Sequence, residues 1–203
     1  MSAPTLILAS KSPRRAELLS RLGLRFSVLP AEIDETYAGN EMPADHVERL
    51  AREKAVAVGR SHPDALVIGS DTIVLVDDDL LGKPVDREEA IEMLMRLSGR
   101  EHQVYTAVAV AHGARVESAL EQVGVRFRPL TRRECAEYAA TDEPLDKAGA
   151  YGIQGRGSAL VESIVGDYFA VMGLPVVRTL ELLRRHGWRY AFDELVPARQ
   201  EGR

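Results

Sequence analysis

The chain has 203 residues, 45% of them hydrophobic and 28% charged, a formal net charge of -5 and a single Cys. That length fits one domain with a substantial core, and the acidic balance excludes a broad basic face of the kind that binds nucleic acid by neutralising phosphates. One Cys excludes a disulfide framework or a Cys-based zinc centre, and no apolar run is long enough to span a bilayer, so we expect a cytoplasmic protein with no membrane or nucleic-acid partner.

Thr5–Ala9 is a short apolar run with strand character, and Ser12 with Pro13 opens a helix expected over Pro13–Leu22. Leu18, Leu19 and Leu22 form its apolar stripe and Gly23 ends it. Pro43 opens a second helix running through Lys54 to Gly59. Leu66–Gly69 and Ile73–Val76 read as two strands separated by Ser70-Asp71-Thr72. Asp77–Asp79 has the chemistry of a solvated turn rather than of a metal site, and leads to a short extended stretch at Leu80. Asp86 with Glu89 caps a third helix that stops at Gly99. Val104–Ala111 and Val116–Phe127 flank His112–Arg115 as a long hairpin, and Thr131 caps a helix reaching Ala140. Ser158–Val165 and Tyr168–Met172 are expected strands. Pro175 begins a last helix through Arg185, closed by Gly187. With no repeat or long linker, we expect a single domain over residues 1–196 and a frayed tail over 197–203. The order of elements predicts an α/β fold with an elongated mixed sheet flanked by helices.

Four stretches carry chemistry-bearing residues. Ser10-Lys11-Ser12-Pro13-Arg14-Arg15 delivers hydroxyls, cations and free amides to a helix N-terminus, which is either a capped helix with basic surface residues or an anion pocket. Asp71 interrupts an apolar stretch, where an acid is costly without a partner or a task. Glu32, Asp34 and Glu35 form an acidic loop before the turn at Tyr37-Ala-Gly-Asn40, and by themselves read as solvated. Asp142–Gly157 combines four glycines with Ala, Ile and Tyr, a composition that brings backbone close to something and suits a ligand wall. The cations add a pattern: 22 are Arg and only four are Lys, namely Lys11, Lys54, Lys83 and Lys147. All four lie in or beside these stretches, and a mobile point charge suits a polyphosphate whose charge shifts during reaction.

Leu8-Ala-Ser-Lys-Ser-Pro-Arg-Arg15, Arg49-Leu-Ala-Arg-Glu-Lys-Ala55, Gly69-Ser-Asp-Thr72, Gly82-Lys-Pro84, Asp146-Lys-Ala-Gly-Ala-Tyr-Gly-Ile-Gln-Gly155 and Val171-Met-Gly-Leu-Pro175 together resemble the Maf family of nucleoside triphosphate pyrophosphatases. The resemblance implies a fold related to the inosine triphosphate pyrophosphatases, a cleft between two lobes, and a homodimer. It implies cleavage of a nucleoside triphosphate to the monophosphate and pyrophosphate with a divalent cation, Mg²⁺, Mn²⁺ or Co²⁺. Carried across, Asp71 accepts a proton from water, and Glu35 and Asp71 hold the metal. Lys54 and Lys83 stabilise the phosphates, and Ser10, Ser12, Arg14, Arg15 and Lys147 bind substrate. Arg14, Thr72 and Gln154 read the base. Lys147 and Gln154 resemble the dTTP/UTP branch, since the branch acting on 7-methyl-GTP has Cys and Glu there; a neutral amide pairs with a pyrimidine, whereas a Glu favours a cationic purine. Cleavage of 7-methyl-GTP, or a nucleotide-binding role in regulating cell division and septum formation, are the alternatives.

Overall fold

The structure, a computed structural model, describes residues 3–37, 41–77 and 79–198. The expected turn residues Ala38, Gly39, Asn40 and Asp78, and residues 199–203 of the expected tail, lie outside the described residues. The elements in chain order are β1 (Leu6–Leu8), α1 (Pro13–Arg21), β2 (Ser27–Val28), α2 (Pro43–Gly59), β3 (Leu66–Val76), β4 (Asp79–Leu81), α3 (Arg87–Leu97), β5 (Glu101–His112), β6 (Arg115–Phe127), α4 (Arg132–Ala139), β7 (Val161–Val165), α5 (Tyr168–Met172), α6 (Val176–Arg185), β8 (Trp188–Tyr190) and β9 (Leu195–Pro197). Among the described residues, seven strands form one mixed sheet in the order β2-β1-β3-β5-β6-β7, with β4 on β3, and β8 pairs with β9. No helix among them is long and apolar enough to cross a membrane.

The chain divides into two compact units, and β3, β5 and β6 each run from one into the other. The first unit holds residues 1–71, 106–120 and 173–203. Here β1 lies parallel to both β2 and β3, in the register Leu6 with Leu66 and Leu8 with Ile68. Leu6, Ile7, Leu8, Leu66, Val67 and Ile68 are all buried, as expected of strands covered on both faces. The apolar stripe of α2, Val47, Leu50, Ala51 and Ala55, packs down on β3. That approach is close enough that a Cβ on Gly69 would stand 2.2 Å from the Ala51 carbonyl oxygen and 2.6 Å from the Ala55 nitrogen. Gly69 is therefore demanded by proximity rather than by backbone dihedrals.

The second unit holds residues 72–105 and 121–172. Its β4 returns antiparallel along the end of β3, and β7 along the end of β6. Helix α3 packs on α4. Asp86 caps α3 by accepting from the Glu89 amide, and the Glu89 carboxylate reaches the Val85 amide. Thr131 and Glu134 form a reciprocal capping box on α4. The turn before β4 keeps its expected character: Asp77 and Asp79 are exposed and pair with Arg100 and Arg96.

Three expectations are corrected. Asp71 does not sit between two strands, because β3 is continuous from Leu66 to Val76; its neighbour Ser70 is satisfied by two carbonyls without breaking the ladder. Tyr168–Met172 is a short helix, not a strand, and opens with Asp167 accepting from the Phe169 amide. The first part of Ser158–Val165 lies in a 3₁₀ turn over Arg156–Leu160, leaving Val161–Val165 as the strand. Strands β2, β8 and β9 are too short to leave a periodic signature.

Candidate active site

Within the first unit, the loop between β1 and α1 puts Ser10 beside the start of a helix. Ser12 is the N-cap residue, yet its side chain makes no capping bond; its amide instead donates to Ser10 Oγ at 3.2 Å. Arg15, one turn into α1, folds back and donates to the same Ser10 Oγ at 2.9 Å and to the Gly173 carbonyl at 2.8 Å. Burial pulls the Arg15 guanidinium below its ordinary pKa, and the nearby Asp71 and Glu35 carboxylates oppose that shift. With no acid in its first turn, α1 presents cations and amides where the helix dipole already favours an anion.

Asp71 stands in the middle of β3, 9% exposed. Lys54, on the face of α2 that Gly69 admits so closely, reaches across and places its Nζ 2.7 Å from Asp71 Oδ1. The same ammonium stands 2.8 Å from Glu35 Oε1, from the loop after β2. Thus one buried cation joins two carboxylates from separate segments. Of the other acids in that loop, Asp34 accepts from the amide and hydroxyl of Thr36, which hold its carboxyl below the usual range, and Glu32 is exposed. Beneath Asp71, fully buried Ser70 donates to the carbonyls of Ala107 at 2.8 Å and Gly173 at 2.9 Å. Arg14 is half-buried on α1 and Lys11 is exposed.

The second unit brings together another set. Thr72 follows Asp71 on β3 and is half-buried. Lys83 is exposed in the turn after β4, and the carbonyl of its neighbour Gly82 accepts from the Gly149 amide at 3.1 Å. Gly149 has φ +67 and lies against Val74, so a side chain there would be strained and crowded. The turn of Lys83 is thereby tied to the segment carrying Lys147 and Gln154. Lys147 is 9% exposed, and its ammonium donates to the Glu143 carbonyl and the Asp146 carboxylate of its own loop. Gln154 is half-buried in a turn just beyond.

Residues 5–186 match the family model described as Maf-like protein. A dTTP/UTP pyrophosphatase of Symbiobacterium thermophilum is 54% identical, with 90% of this chain aligned to 94% of that protein. The proteins of the same name from Moorella thermoacetica and Bacillus velezensis are 52% and 50% identical, covering 90% and 88% of this chain and 95% of each relative. This chain belongs to the Maf family. A solved Vibrio cholerae structure covers 91% of this Maf protein at a TM-score of 0.41 and 10% identity, too distant to carry an argument.

Sequence reasoning on this Maf chain passed over Ser70, which reads as a small residue between two strands, and gave Glu143 and Tyr138 no role. Their importance lies in partners 103 residues distant for Ser70 and up to 14 residues distant for the other two. The signal available for the latter pair was the density of glycine just after Glu143.

Proposed function

We propose that this Maf protein is a nucleoside triphosphate pyrophosphatase that hydrolyses dTTP and UTP to the monophosphate and pyrophosphate. The observation that carries the reading is the meeting of buried Lys54 and Asp71 with the exposed Glu35, beside a helix N-terminus built around Ser10 and Arg15. Two hydrolytic requirements are thereby supported together: cations and amides for a polyphosphate, and a carboxylate near enough to act on water.

In this reading, Ser10, Ser12, Arg14 and Arg15 bind phosphate oxygens, with Lys54, Lys83 and Lys147 as further cations. Asp71 orients a water and accepts its proton as the oxygen bonds to the α-phosphorus. The bond from that phosphorus to the bridging oxygen breaks, and the oxygen leaves with pyrophosphate. Lys54 steadies the Asp71 carboxylate and balances the negative charge gathered around it.

The donors suit a divalent cation. Glu35 and Asp71 are hard oxygen ligands whose carboxylates already converge on a single positive group, the Lys54 ammonium. An ion such as Mg²⁺ or Mn²⁺ keeps water and substrate phosphate among its ligands, so two carboxylates make up a sufficient share from the protein. When bound, such an ion would supply Lewis acidity toward phosphate and water.

Specificity is assigned to Arg14, Thr72 and Gln154, with the Gln154 amide able to both donate to and accept from a pyrimidine's carbonyl and imide edge. The decisive experiment is a panel of nucleoside triphosphates, including 7-methyl-GTP, assayed for pyrophosphate release with Asp71→Asn as control. Preferred release from dTTP and UTP is the expected result; binding of dTTP without pyrophosphate release in Mg²⁺ or Mn²⁺ would overturn the enzyme reading. The same reading takes the working form as a cytoplasmic homodimer, and sedimentation velocity tests the oligomer.

A further inference from the structure

The turn that carries Gln154 is pinned on both sides by two side chains outside the residues assigned above. On one side the Gly152 amide donates to Tyr138 Oη at 3.1 Å. On the other, the amides of Arg156 and Gly157 donate to Glu143 Oε2 at 3.0 Å and Oε1 at 3.1 Å. The two pins are linked, because Tyr138 Oη donates to Glu143 Oε1 at 2.8 Å. The turn closes on itself through the Gly155 amide and the Gly152 carbonyl, 3.2 Å apart.

The glycines follow from this clamp. A Cβ on Gly155 would stand 2.6 Å from both Glu143 carboxylate oxygens, and one on Gly157 would stand 2.6 Å from Tyr138 Oη and 2.7 Å from the Gly152 carbonyl oxygen. A Cβ on Gly152 would meet Lys147 Cε at 2.7 Å. Lys147 in turn braces the clamp by donating to the Glu143 carbonyl. Burial alone would raise the Glu143 pKa, but the Arg156 and Gly157 amides, Tyr138 and Lys147 outweigh it, so the carboxylate stays ionised as an acceptor. Gln154, half-buried, takes no part in these bonds and sits on a turn whose backbone is fixed at both ends.

We infer that Tyr138 and Glu143 are positioning residues for base recognition, fixing the turn from which Gln154 addresses the pyrimidine. The inference rests on the assignment of Gln154 to the base. A recognition amide on a loose turn must be ordered at the moment of binding, which weakens binding of the base it reads more than it slows chemistry at the phosphates.

The test measures kcat and KM for UTP and for GTP in Tyr138→Phe, Glu143→Gln, Glu143→Ala and Gln154→Ala, with a thermal melt of each. Tyr138→Phe removes one oxygen, leaves the ring in place, and takes the acceptor from the Gly152 amide. We expect it and Glu143→Gln to raise KM for UTP about five- to tenfold, with kcat changed less than about twofold and KM for GTP unmoved. The preference for UTP over GTP falls by the same factor. Glu143→Ala goes further, and Glu143→Gln recovers part of the loss because its amide oxygen still accepts one backbone N–H. If Tyr138→Phe and Glu143→Gln keep wild-type KM and preference while Gln154→Ala shifts both, the clamp is structural only and the inference is overturned. A loss of kcat on both nucleotides alike, tracking the melt, overturns it as well. If Gln154→Ala itself leaves the preference unchanged, the base assignment fails and the inference falls with it.

Discussion

The Lys54 ammonium stands 2.7 Å from Asp71 Oδ1, with both side chains largely withdrawn from water, at 8% and 13% exposed. A buried pair of this kind is asymmetric to mutation. Asp71→Asn keeps an oxygen that accepts from Lys54 but has no carboxylate to take a proton. Pyrophosphate release from saturating UTP should fall at least ~100-fold while the thermal melt stays near wild type. Lys54→Met instead leaves a buried carboxylate without its cation, and should cost about 3 kcal/mol of stability in a urea titration as well as activity.

Glu35 is the exposed partner of that cation, 55% open to solvent, and its loss should be felt through the metal more than through the fold. Chelation by EDTA should abolish pyrophosphate release, and added Mg²⁺ or Mn²⁺ should restore it. Glu35→Gln should raise the metal concentration giving half-maximal rate about tenfold, with an unchanged melt. Equal metal titrations for the two proteins would remove Glu35 from the metal's ligands.

Stability should depend on the pH through His102, which lies in the second unit at 2% exposure, donating to or accepting from Tyr151 Oη at 2.8 Å. Burial pulls its pKa down to about 4. The unfolded chain, with an ordinary histidine near ~6.5, takes up a proton that the folded protein refuses as the pH falls between those values. Folding is therefore weakened across that window, by about 2 kcal/mol at pH 5. Urea titrations at pH 7 and pH 5 should show this loss, and His102→Gln should flatten it.

Gly69→Ala tests how closely α2 lies on β3. The added methyl carbon would stand 2.2 Å from a backbone oxygen of Ala51 and 2.6 Å from the Ala55 nitrogen, neither of which belongs to a side chain that could swing aside. We expect a loss of about 3 kcal/mol or more, or an insoluble product, measured by soluble yield and urea midpoint.

Ser70→Ala removes the one hydroxyl donor shared between the Ala107 and Gly173 carbonyls. Ser70 is wholly buried, so both carbonyls lose this donor away from bulk water. A loss of about 1–2 kcal/mol is expected in the same titration.

Much of the fold was legible because its elements announce themselves locally. Pro13 and Pro43 open two helices, Asp86 and Thr131 cap two others, and the continuous apolar run at Leu66–Ile68 reads as a covered strand. What misled was the polar triplet after it. Asp71 reads as a break because an acid inside a strand is expensive, and the partner that offsets its cost, Lys54, lies 17 residues away on a helix. The same logic explains Tyr168–Met172, whose five apolar residues cannot distinguish strand from helix by periodicity alone. For the site, residue types and spacing nominated Asp71, Lys54 and the Ser10–Arg15 loop, but Glu35 only became more than a solvated acid through family likeness. The part played by Ser70 depends on a partner 103 residues away that no local pattern encodes, and for Tyr138 and Glu143 only the run of glycines after them hints at the clamp.

The Gly173 carbonyl has a consequence of its own. It accepts from Arg15, 158 residues earlier in the chain, and from Ser70, 103 residues earlier. The start of α1 and the strand that holds Asp71 are thus gauged from one oxygen atom, as parts of a machine are gauged from a common datum. The Ala9 amide, which donates to the Ile68 carbonyl, ties the same two segments a second time.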